Sequence, residues 1–445
     1  MNILYIHTHD TGRYIEPYGY HIPTPNLMKL AYEGTLFRNA YNIAPTCSPS
    51  RAGLLTGMYP HSCGMLGLAH RGFQLNDYRQ HIVSFLNENG YETVLCGVQH
   101  EAPKKEMIGY QRILNEEIVS KTRTVPDLLN AHLVADYFKE EKAKPFFLSF
   151  GMFNTHREFP AIDADVNSNY VMPPFPMADN EKNREDMAAF ISSAKIVDQC
   201  VGIVLDSLKQ SGQEEDTFVI FTTDHGIAFP GMKCNLYDTG IGVSQIFKYP
   251  GNKRKGEAVD VLASHIDIFP TLCEILQLDQ PNWLQGVSMM PYMNREVESI
   301  REEIFSEVTF HAAYEPMRCI RNQRFKFIKY FDEHVHYVPA NMDDSFSKSF
   351  VMKSGYFDRI RDMEQLFDLS LDPVERVNLI GNDRYKEIYT EMKKHLFDWM
   401  KSTDDPLLNG KVLLPAGAFA NTLECLSPND EDYVMAQVKN KHDNA

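Results

Sequence analysis

Short apolar runs alternate with longer amphipathic stretches along the first half of the chain. The apolar runs predict β-strands at residues 3–6, 36–41, 91–97, 145–150 and 217–221. Between these runs, the spacing of apolar residues predicts a helix that begins near residue 24 and further helices over residues 81–89 and 185–210. Strands separated by helices are typical of a largely parallel sheet covered on both faces, so the sequence predicts the α/β class.

The pattern changes beyond about residue 300. Residues 316–321 and 324–330 alternate apolar and basic side chains, which predicts antiparallel strands with one packed and one solvated face. Residues 385–401 have the apolar spacing of a terminal amphipathic helix. We therefore divide the chain into a larger domain, residues 1–300, and a smaller α+β domain, residues 301–445, that carries an antiparallel sheet, a helix and a tail.

Charge and cysteine usage narrow the possible classes of function. The formal net charge of -16, from 44 basic and 60 acidic residues, argues against nucleic acid or an anionic membrane as a partner. The eight cysteines form no CxxC pair, so neither a zinc knuckle nor a disulfide framework is indicated. The amino terminus has no signal-peptide pattern, and we find no apolar run of membrane-spanning length. These features predict a cytoplasmic protein.

Acidic and histidine side chains follow four of the predicted strands. In parallel sheets the carboxyl ends of the strands meet at one rim, where ligands usually bind. A single histidine after a strand is more often a packing residue, but four coincident cases favour a shared site. The candidate residues at this rim are His9 and Asp10, His100, His156, and Asp224 with His225.

A cysteine lies in a distinctive run, Cys47-Ser48-Pro49-Ser50-Arg51, which is followed by Leu-Leu-Thr-Gly. This run resembles the signature of the sulfatase family, in the alkaline phosphatase superfamily, whose cysteine is oxidised to formylglycine. The resemblance extends to residues 2–10, 224–226, 264–272 and 364–369. Within the family, residues 224–230 and 235–237 are most similar to the heparan N-sulfatase (sulfoglucosamine sulfohydrolase) branch. The resemblance implies an alkaline phosphatase-like fold, with a catalytic domain followed by a smaller C-terminal domain.

The chemistry of hydrated formylglycine explains why the family has a cysteine at the position of Cys47. One of its two hydroxyls can attack sulfur, and the other can then lose its proton, so that sulfate leaves as the aldehyde reforms. Arg51, on the turn after the nucleophile, can hold the modified side chain through directed hydrogen bonds. The plainer alternative for Cys47 is a buried free thiol at a helix start.

A divalent cation is expected to offset the charge of the sulfate oxygens. By resemblance, Asp10, Asp224 and His225 match metal-binding positions of the family, and the modified Cys47 supplies another ligand. Two positions depart from the family pattern, because His9 and His225 stand where many sulfatases have aspartate and asparagine. Calcium is our first expectation, although imidazole ligands suit manganese or zinc and both are alternatives. His9 is either a ligand or a histidine that packs behind the ligands.

The resemblance implies roles for three more side chains. His156 matches the histidine that protonates the leaving atom or binds sulfate, and His100 matches the histidine that removes a proton as the aldehyde reforms. Lys233 would offer a cation to sulfate, with a solvated loop lysine as the alternative. The family usually has a lysine where this chain has Val98, and Lys104, Lys105 or Lys233 could replace it.

We therefore predict a formylglycine-dependent enzyme that cleaves a sulfate ester or sulfamate, most simply on a small saccharide, and needs a maturation enzyme to modify Cys47. The sequence leaves a homo-oligomer open. One alternative is a phosphodiester or phosphonate monoester hydrolase with the same nucleophile, which His225 and Val98 favour. Another is a binding protein on a sulfatase scaffold, which the intact Cys47 to Arg51 run argues against.

Overall fold

The larger part of the protein is built on an eight-stranded sheet. The computed structural model describes residues 1–115 and 124–436 of the chain. The strands of this sheet are β1 (Asn2–Thr8), β2 (Thr35–Tyr41), β3 (Glu92–Gly97), β4 (Arg112–Ile113), β5 (Phe146–Gly151), β6 (Thr217–Thr223), β7 (Gln245–Lys248) and β8 (Glu257–Ser264). They lie in the order β4-β3-β5-β1-β6-β7-β2-β8, and only β7 runs against the others within the described residues. The predicted α/β class and mostly parallel sheet are confirmed.

Helices cover both faces of this sheet. The α-helices are α1 (Pro25–Glu33), α2 (Cys47–Thr56), α3 (Pro60–Cys63), α4 (Ile82–Glu88), α5 (Thr124–Lys139), α6 (Glu181–Gln210), α7 (Asp238–Ile241), α8 (Ile268–Ile275), α9 (Met290–Met293), α10 (Phe346–Lys353) and α11 (Lys386–Ser402). Along β1, Ile3 and Tyr5 point into one hydrophobic core, and Leu4 and Ile6 point into another. Burial on both faces explains why the central strands are continuous apolar runs.

The helix α6 is long and apolar enough to cross a membrane by length and composition, a feature that our sequence analysis missed. In the structure, 67% of its most apolar stretch is buried. Val197, Val201, Val204 and Leu208 of this helix belong to the core beneath the large sheet. We therefore interpret α6 as a core helix.

A second sheet is formed by the C-terminal part of the chain. Its strands are β9 (Ile304–Phe310), β10 (Tyr314–Arg321), β11 (Phe325–Tyr330) and β12 (Glu364–Asp368), and they pair antiparallel in the order β12-β11-β10-β9. The helix α11 contributes Met392, Leu396 and Trp399 to the core under this sheet. Two short strands, β13 (Phe419–Asn421) and β14 (Tyr433–Met435), form a separate hairpin in the tail. The antiparallel strands and the terminal helix expected from the sequence are present.

The expectation that the basic side chains of this sheet face solvent is wrong for three of them. Arg318 and Lys326 are completely buried, and Arg321 is nearly so. Arg318 Nε lies 2.6 Å from Asp405 Oδ2, whereas Arg321 and Lys326 both pair with Asp238. The partner carboxylates come from distant parts of the chain, so the local alternation could not distinguish an ion pair from a solvated face.

We predict that Arg318→Met destabilises the fold by about 3–5 kcal/mol, because it leaves the buried Asp405 carboxylate without its cation. The measurement is the free energy of unfolding in urea. The matched control is Arg324→Met, since Arg324 pairs with Asp368 but is 53% exposed, and a much smaller change is expected there. Equal losses in the two variants would contradict the assignment of Arg318 to a buried ion pair.

Candidate active site

The structure brings the predicted site residues to one rim of the large sheet. His9 and Asp10 follow β1, Asp224 and His225 follow β6, and Cys47 is the first residue of α2. The ligand atoms of His9, Asp10, Cys47 and Asp224 all lie within 4.8 Å of one another. The residues that follow β1 and β6 therefore meet at one rim, as the strand-end rule predicts, and Cys47 joins them from the start of α2.

His225 presents its second ring nitrogen to this cluster. Its Nδ1 lies 2.9 Å from the carbonyl oxygen of Gly226, which can only accept a hydrogen bond. A neutral His225 thus carries its proton on Nδ1 and leaves the Nε2 lone pair free. That Nε2 lies 3.3 Å from Asp10 Oδ1 and 3.3 Å from Cys47 Sγ. A backbone carbonyl behind the ring is the usual support of a histidine that binds metal.

Several polar atoms of the cluster fit a divalent cation. Both ring nitrogens of His9 and Oδ1 of Asp10 are buried and lack a hydrogen-bond partner. His9 Nδ1 lies 3.2 Å from Asp224 Oδ2, but without the geometry of a hydrogen bond. Buried polar groups without partners are costly, and a cation would satisfy Oδ1 of Asp10 together with one of the two His9 nitrogens. The donor set is two carboxylates and two imidazoles, beside the side chain at position 47.

Arg51 holds one of these carboxylates from the second turn of α2. Its Nη2 donates to Asp224 Oδ2 at 3.0 Å and to the carbonyl oxygen of Thr8 at 2.6 Å. Burial alone would raise the pKa of Asp224, but its neighbours His225, Arg51 and His9 outweigh burial and hold that pKa well below its usual value. We infer that Arg51 keeps Asp224 ionised and in place.

Cys47 is buried at the start of α2. Burial raises the pKa of its thiol well above the usual value, although the charge of Lys233 acts in the opposite direction. The thiolate is the nucleophilic form of cysteine, so an unmodified Cys47 is a weak nucleophile at neutral pH.

Lys233 is a buried member of the site and not a solvated loop lysine. Its Nζ lies 2.9 Å from Asp10 Oδ2, 2.9 Å from Asp343 Oδ2 and 3.4 Å from His156 Nε2. Burial alone would lower the pKa of Lys233, but Asp10 and Asp343 outweigh it and raise that pKa well above the usual value. The Lys233 ammonium therefore stays charged. It lies between His156 and Asp10, which is one of the candidate metal ligands.

Asp343 is a site residue that sequence reasoning missed. It follows a short 3-10 turn, Pro339–Asn341, in the segment between β11 and β12. Burial would raise the pKa of Asp343, but Lys233, His156 and His311 hold it well below the usual value. No local motif marks this aspartate, since it is 110 residues from the lysine it contacts.

His100 reaches the rim from the segment after β3. Its ring centroid is 5.9 Å from that of His9, and its Nε2 lies 3.1 Å from Nδ1 of His70. The rings of His70 and His100 stack with centroids 5.3 Å apart. Burial, followed by the charges of His70 and Arg51, lowers the pKa of His100 well below its usual value. His70, which the sequence did not indicate, thus joins the candidate site.

The sequence of this chain is similar to those of known proteins. A family model for the sulfatases matches residues 1–278. The chain belongs to the sulfatase family. A second model, for the C-terminal part of N-sulphoglucosamine sulphohydrolase, matches residues 231–345, and it supports the similarity to that branch seen in the sequence. This sulfatase is therefore a sulfuric ester hydrolase, of a family that generally uses a metal ion and formylglycine.

Individual relatives resemble this sulfatase over most of its length. Human N-sulphoglucosamine sulphohydrolase is 27% identical, and the match covers 86% of each chain. An ulvan-active sulfatase of Formosa agariphila is also 27% identical, over 91% of this chain and 75% of its own. A protein solved with its substrate D-glucosamine-2-N,6-O-disulfate has the same fold, with a TM-score of 0.71, 18% identity, and coverage of 92% of this chain and 99% of its own.

We predict that Asp343→Asn lowers kcat/KM on an aryl sulfate roughly tenfold or more, because the Lys233 ammonium loses one of the two carboxylates that position it. The matched control is Asp344→Asn, since Asp344 pairs with Lys348 instead. Kinetics of both variants, with KM and kcat measured separately, provide the check. An Asp343→Asn enzyme with unchanged constants would contradict this role.

Proposed function

We propose that this sulfatase cleaves a sulfate ester or sulfamate on a small saccharide and releases inorganic sulfate, with formylglycine at position 47 as the nucleophile. The observation that carries the proposal is the position of Cys47 at the start of α2. Its Sγ lies 3.3 Å from His225 Nε2, among the candidate metal ligands. The names of the relatives, which refer to sulphoglucosamine, ulvan and glucosamine disulfate, support a sulfated sugar.

The side chains around position 47 can be assigned separate roles. Formylglycine, as its hydrate, would supply one hydroxyl to attack sulfur and a second to lose its proton as sulfate leaves and the aldehyde reforms. The Lys233 ammonium is positioned to bind a sulfate oxygen, since it lies between Asp10 and the imidazole of His156. His156 is 23% exposed whereas Asp10 is fully buried, so substrate approaches from the His156 side. His156 is thus positioned to give a proton to the leaving oxygen or nitrogen.

The stacked rings of His100 and His70 are placed to remove a proton in the step that regenerates formylglycine. A ligand atom of His100 lies within 4.8 Å of those of Cys47 and His9. The other partner, His70, is exposed. A proton taken by His100 can therefore pass through the 3.1 Å contact with His70 and reach solvent. We assign proton removal to His100 and its transfer outward to His70.

The metal would be held by Asp10, Asp224, His225 and His9, together with the side chain at position 47. When bound, it would withdraw negative charge from the sulfate oxygens and the attacking hydroxyl. Calcium, our first expectation from the sequence, prefers oxygen ligands throughout, and two imidazoles among the donors instead favour manganese or zinc. We propose that manganese or zinc binds to this site more tightly than calcium does.

Modification of Cys47 is tested by mass spectrometry of the peptide that contains it, after expression in a host with a formylglycine-generating enzyme. We expect a loss of about 18 Da relative to cysteine. The peptide with Cys234 is the internal control and should keep its unmodified mass. Cys47→Ala should abolish sulfatase activity, whereas Cys425→Ser, at a buried cysteine of the tail, should retain it. A fully active Cys47→Ala enzyme would remove position 47 from the mechanism.

The preference of the enzyme for sulfate esters over phosphonate esters is tested with the same modified enzyme. Turnover of an aryl sulfate should exceed that of the matching aryl phosphonate. Faster turnover of the phosphonate would favour the alternative of a phosphonate monoester hydrolase.

Metal preference is tested by calorimetric titration of protein stripped with a chelator. We expect manganese or zinc to bind more tightly than calcium and to raise the melting temperature, because the bound ion stabilises the folded state. His9→Ala and His225→Ala should weaken manganese or zinc binding, whereas His395→Ala, at a half-exposed histidine of α11, should not. Tighter calcium binding in the unaltered protein would restore our first expectation.

Other expectations from the sequence remain proposals. They are the domain boundary near residue 300, a cytoplasmic location, the maturation enzyme as a partner, and a homo-oligomer. All eight cysteines are free and buried in the part of the chain that the structure describes.

A further inference from the structure

A buried histidine of β1, His7, contacts Arg51 behind the candidate active site. His7 is 2% exposed, and its Nδ1 lies 2.5 Å from Nη1 of Arg51. At the other side of the ring, Nε2 lies 3.1 Å from Oγ of Ser149, which belongs to β5. Both nitrogens of this imidazole are therefore engaged by the protein.

The guanidinium of Arg51 determines the direction of these hydrogen bonds. An arginine Nη1 can only donate, so Nδ1 of His7 carries a lone pair and accepts. The proton of the neutral ring is then on Nε2, which donates it to Ser149 Oγ. Burial, followed by the charge of Arg51, lowers the pKa of His7 well below its usual value, in agreement with a neutral ring. His7 thus presents a defined acceptor to Arg51.

The neighbouring strand β5 leaves room for this ring. Gly151 lies opposite His7 in the parallel register of β1 and β5. A Cβ atom on Gly151 would lie 2.6 Å from Cε1 of His7, so a side chain there would collide with the imidazole. The ring of Tyr5 stacks on His7 with centroids 4.5 Å apart and an interplanar angle of 22°. The imidazole therefore has little freedom to turn away from Arg51.

The Arg51 guanidinium is held through two of its three nitrogens. The contact with His7 is the one hydrogen bond of Nη1 in the described part of the chain, whereas Nη2 reaches both the carbonyl oxygen of Thr8 and Asp224 Oδ2. Nε is buried without a hydrogen-bond partner and offers no alternative anchor. Because the guanidinium is planar and its donors point in fixed directions, an acceptor at Nη1 helps to set the orientation in which Nη2 faces Asp224.

We propose that His7 is a positioning residue, whose Nδ1 lone pair fixes the Arg51 guanidinium and thereby keeps Asp224 oriented toward the divalent cation. The inference rests on the proposed function, in which Asp224 holds the metal. Partners that lie behind metal ligands typically change metal affinity or activity by about 10- to 100-fold when they are removed. His7 acts only through Arg51, since both of its ring nitrogens already have partners.

The test compares two replacements of His7. Leucine fills a similar space but has no acceptor, whereas the amide oxygen of asparagine can accept from Arg51 near the position of Nδ1. Manganese or zinc, whichever binds the unaltered protein more tightly, is titrated into chelator-stripped protein in a calorimeter. We expect His7→Leu to weaken metal binding roughly tenfold or more and to lower kcat on para-nitrophenyl sulfate by a similar factor. His7→Asn should recover most of both losses.

His81→Leu is the matched control. His81 is also completely buried, and its Nδ1 accepts a hydrogen bond from the backbone amide of Val83 at the start of α4. We expect His81→Leu to lower the melting temperature without changing metal affinity, which separates lost stability from lost positioning. Ser149→Ala is a milder second variant, because it removes only the hydroxyl that accepts the Nε2 proton of His7. It should weaken metal binding in the same direction as His7→Leu, but by less.

The outcomes separate this inference from the proposed function. An unaltered enzyme that binds metal but cleaves no sulfate ester or sulfamate would overturn the proposed function, and the metal affinities of the variants would still test His7. Unchanged metal affinity in His7→Leu and Ser149→Ala would overturn the positioning role and leave the proposed function intact. Equal losses in His7→Leu and His7→Asn would also overturn it, because the acceptor would then be irrelevant.

Discussion

The candidate site depends on one buried carboxylate, that of Asp224. Its Oδ1 accepts hydrogen bonds from the backbone amides of Asp10 and His225, and its Oδ2 faces the guanidinium of Arg51. These contacts join the end of β1, the end of β6 and the second turn of α2. The hydroxyl of Ser50 adds a bond to the carbonyl oxygen of Asp224. Because buried charged groups are tolerated only when paired and hydrogen-bonded, the three segments can meet in essentially one arrangement.

The charges collected around this carboxylate have the balance that sulfate chemistry requires. Asp10, Asp224 and Asp343 face Arg51 and Lys233, which leaves one negative charge when the histidines are neutral. This excess attracts a divalent cation, and the site with its cation then carries one positive charge. A monoanionic sulfate ester or sulfamate group would be drawn to such a site, and it would be held more strongly as negative charge develops in the transition state.

Sequence patterns predicted the large sheet and most of the rim, for a clear physical reason. Central strands are buried on both faces, so they stand out as apolar runs. Asp224 follows such a run directly, and Asp10 and His156 lie two and five residues beyond one. Asp343 and Arg318 could not be assigned in this way. Their partners Lys233 and Asp405 are distant in sequence, and an aspartate or arginine looks the same in a solvated turn and in a buried ion pair.

The contact between Lys233 and Asp343 links the site to the C-terminal part of the chain. The lysine belongs to a loop between β6 and α7, close to the metal-type ligands, whereas the aspartate lies between two strands of the smaller sheet. A change in the segment between β11 and β12 can therefore reach the Lys233 ammonium through Asp343, although this segment lies outside the large sheet that carries the metal-binding candidates. Selection on the smaller sheet thus also acts on the charge of the candidate site.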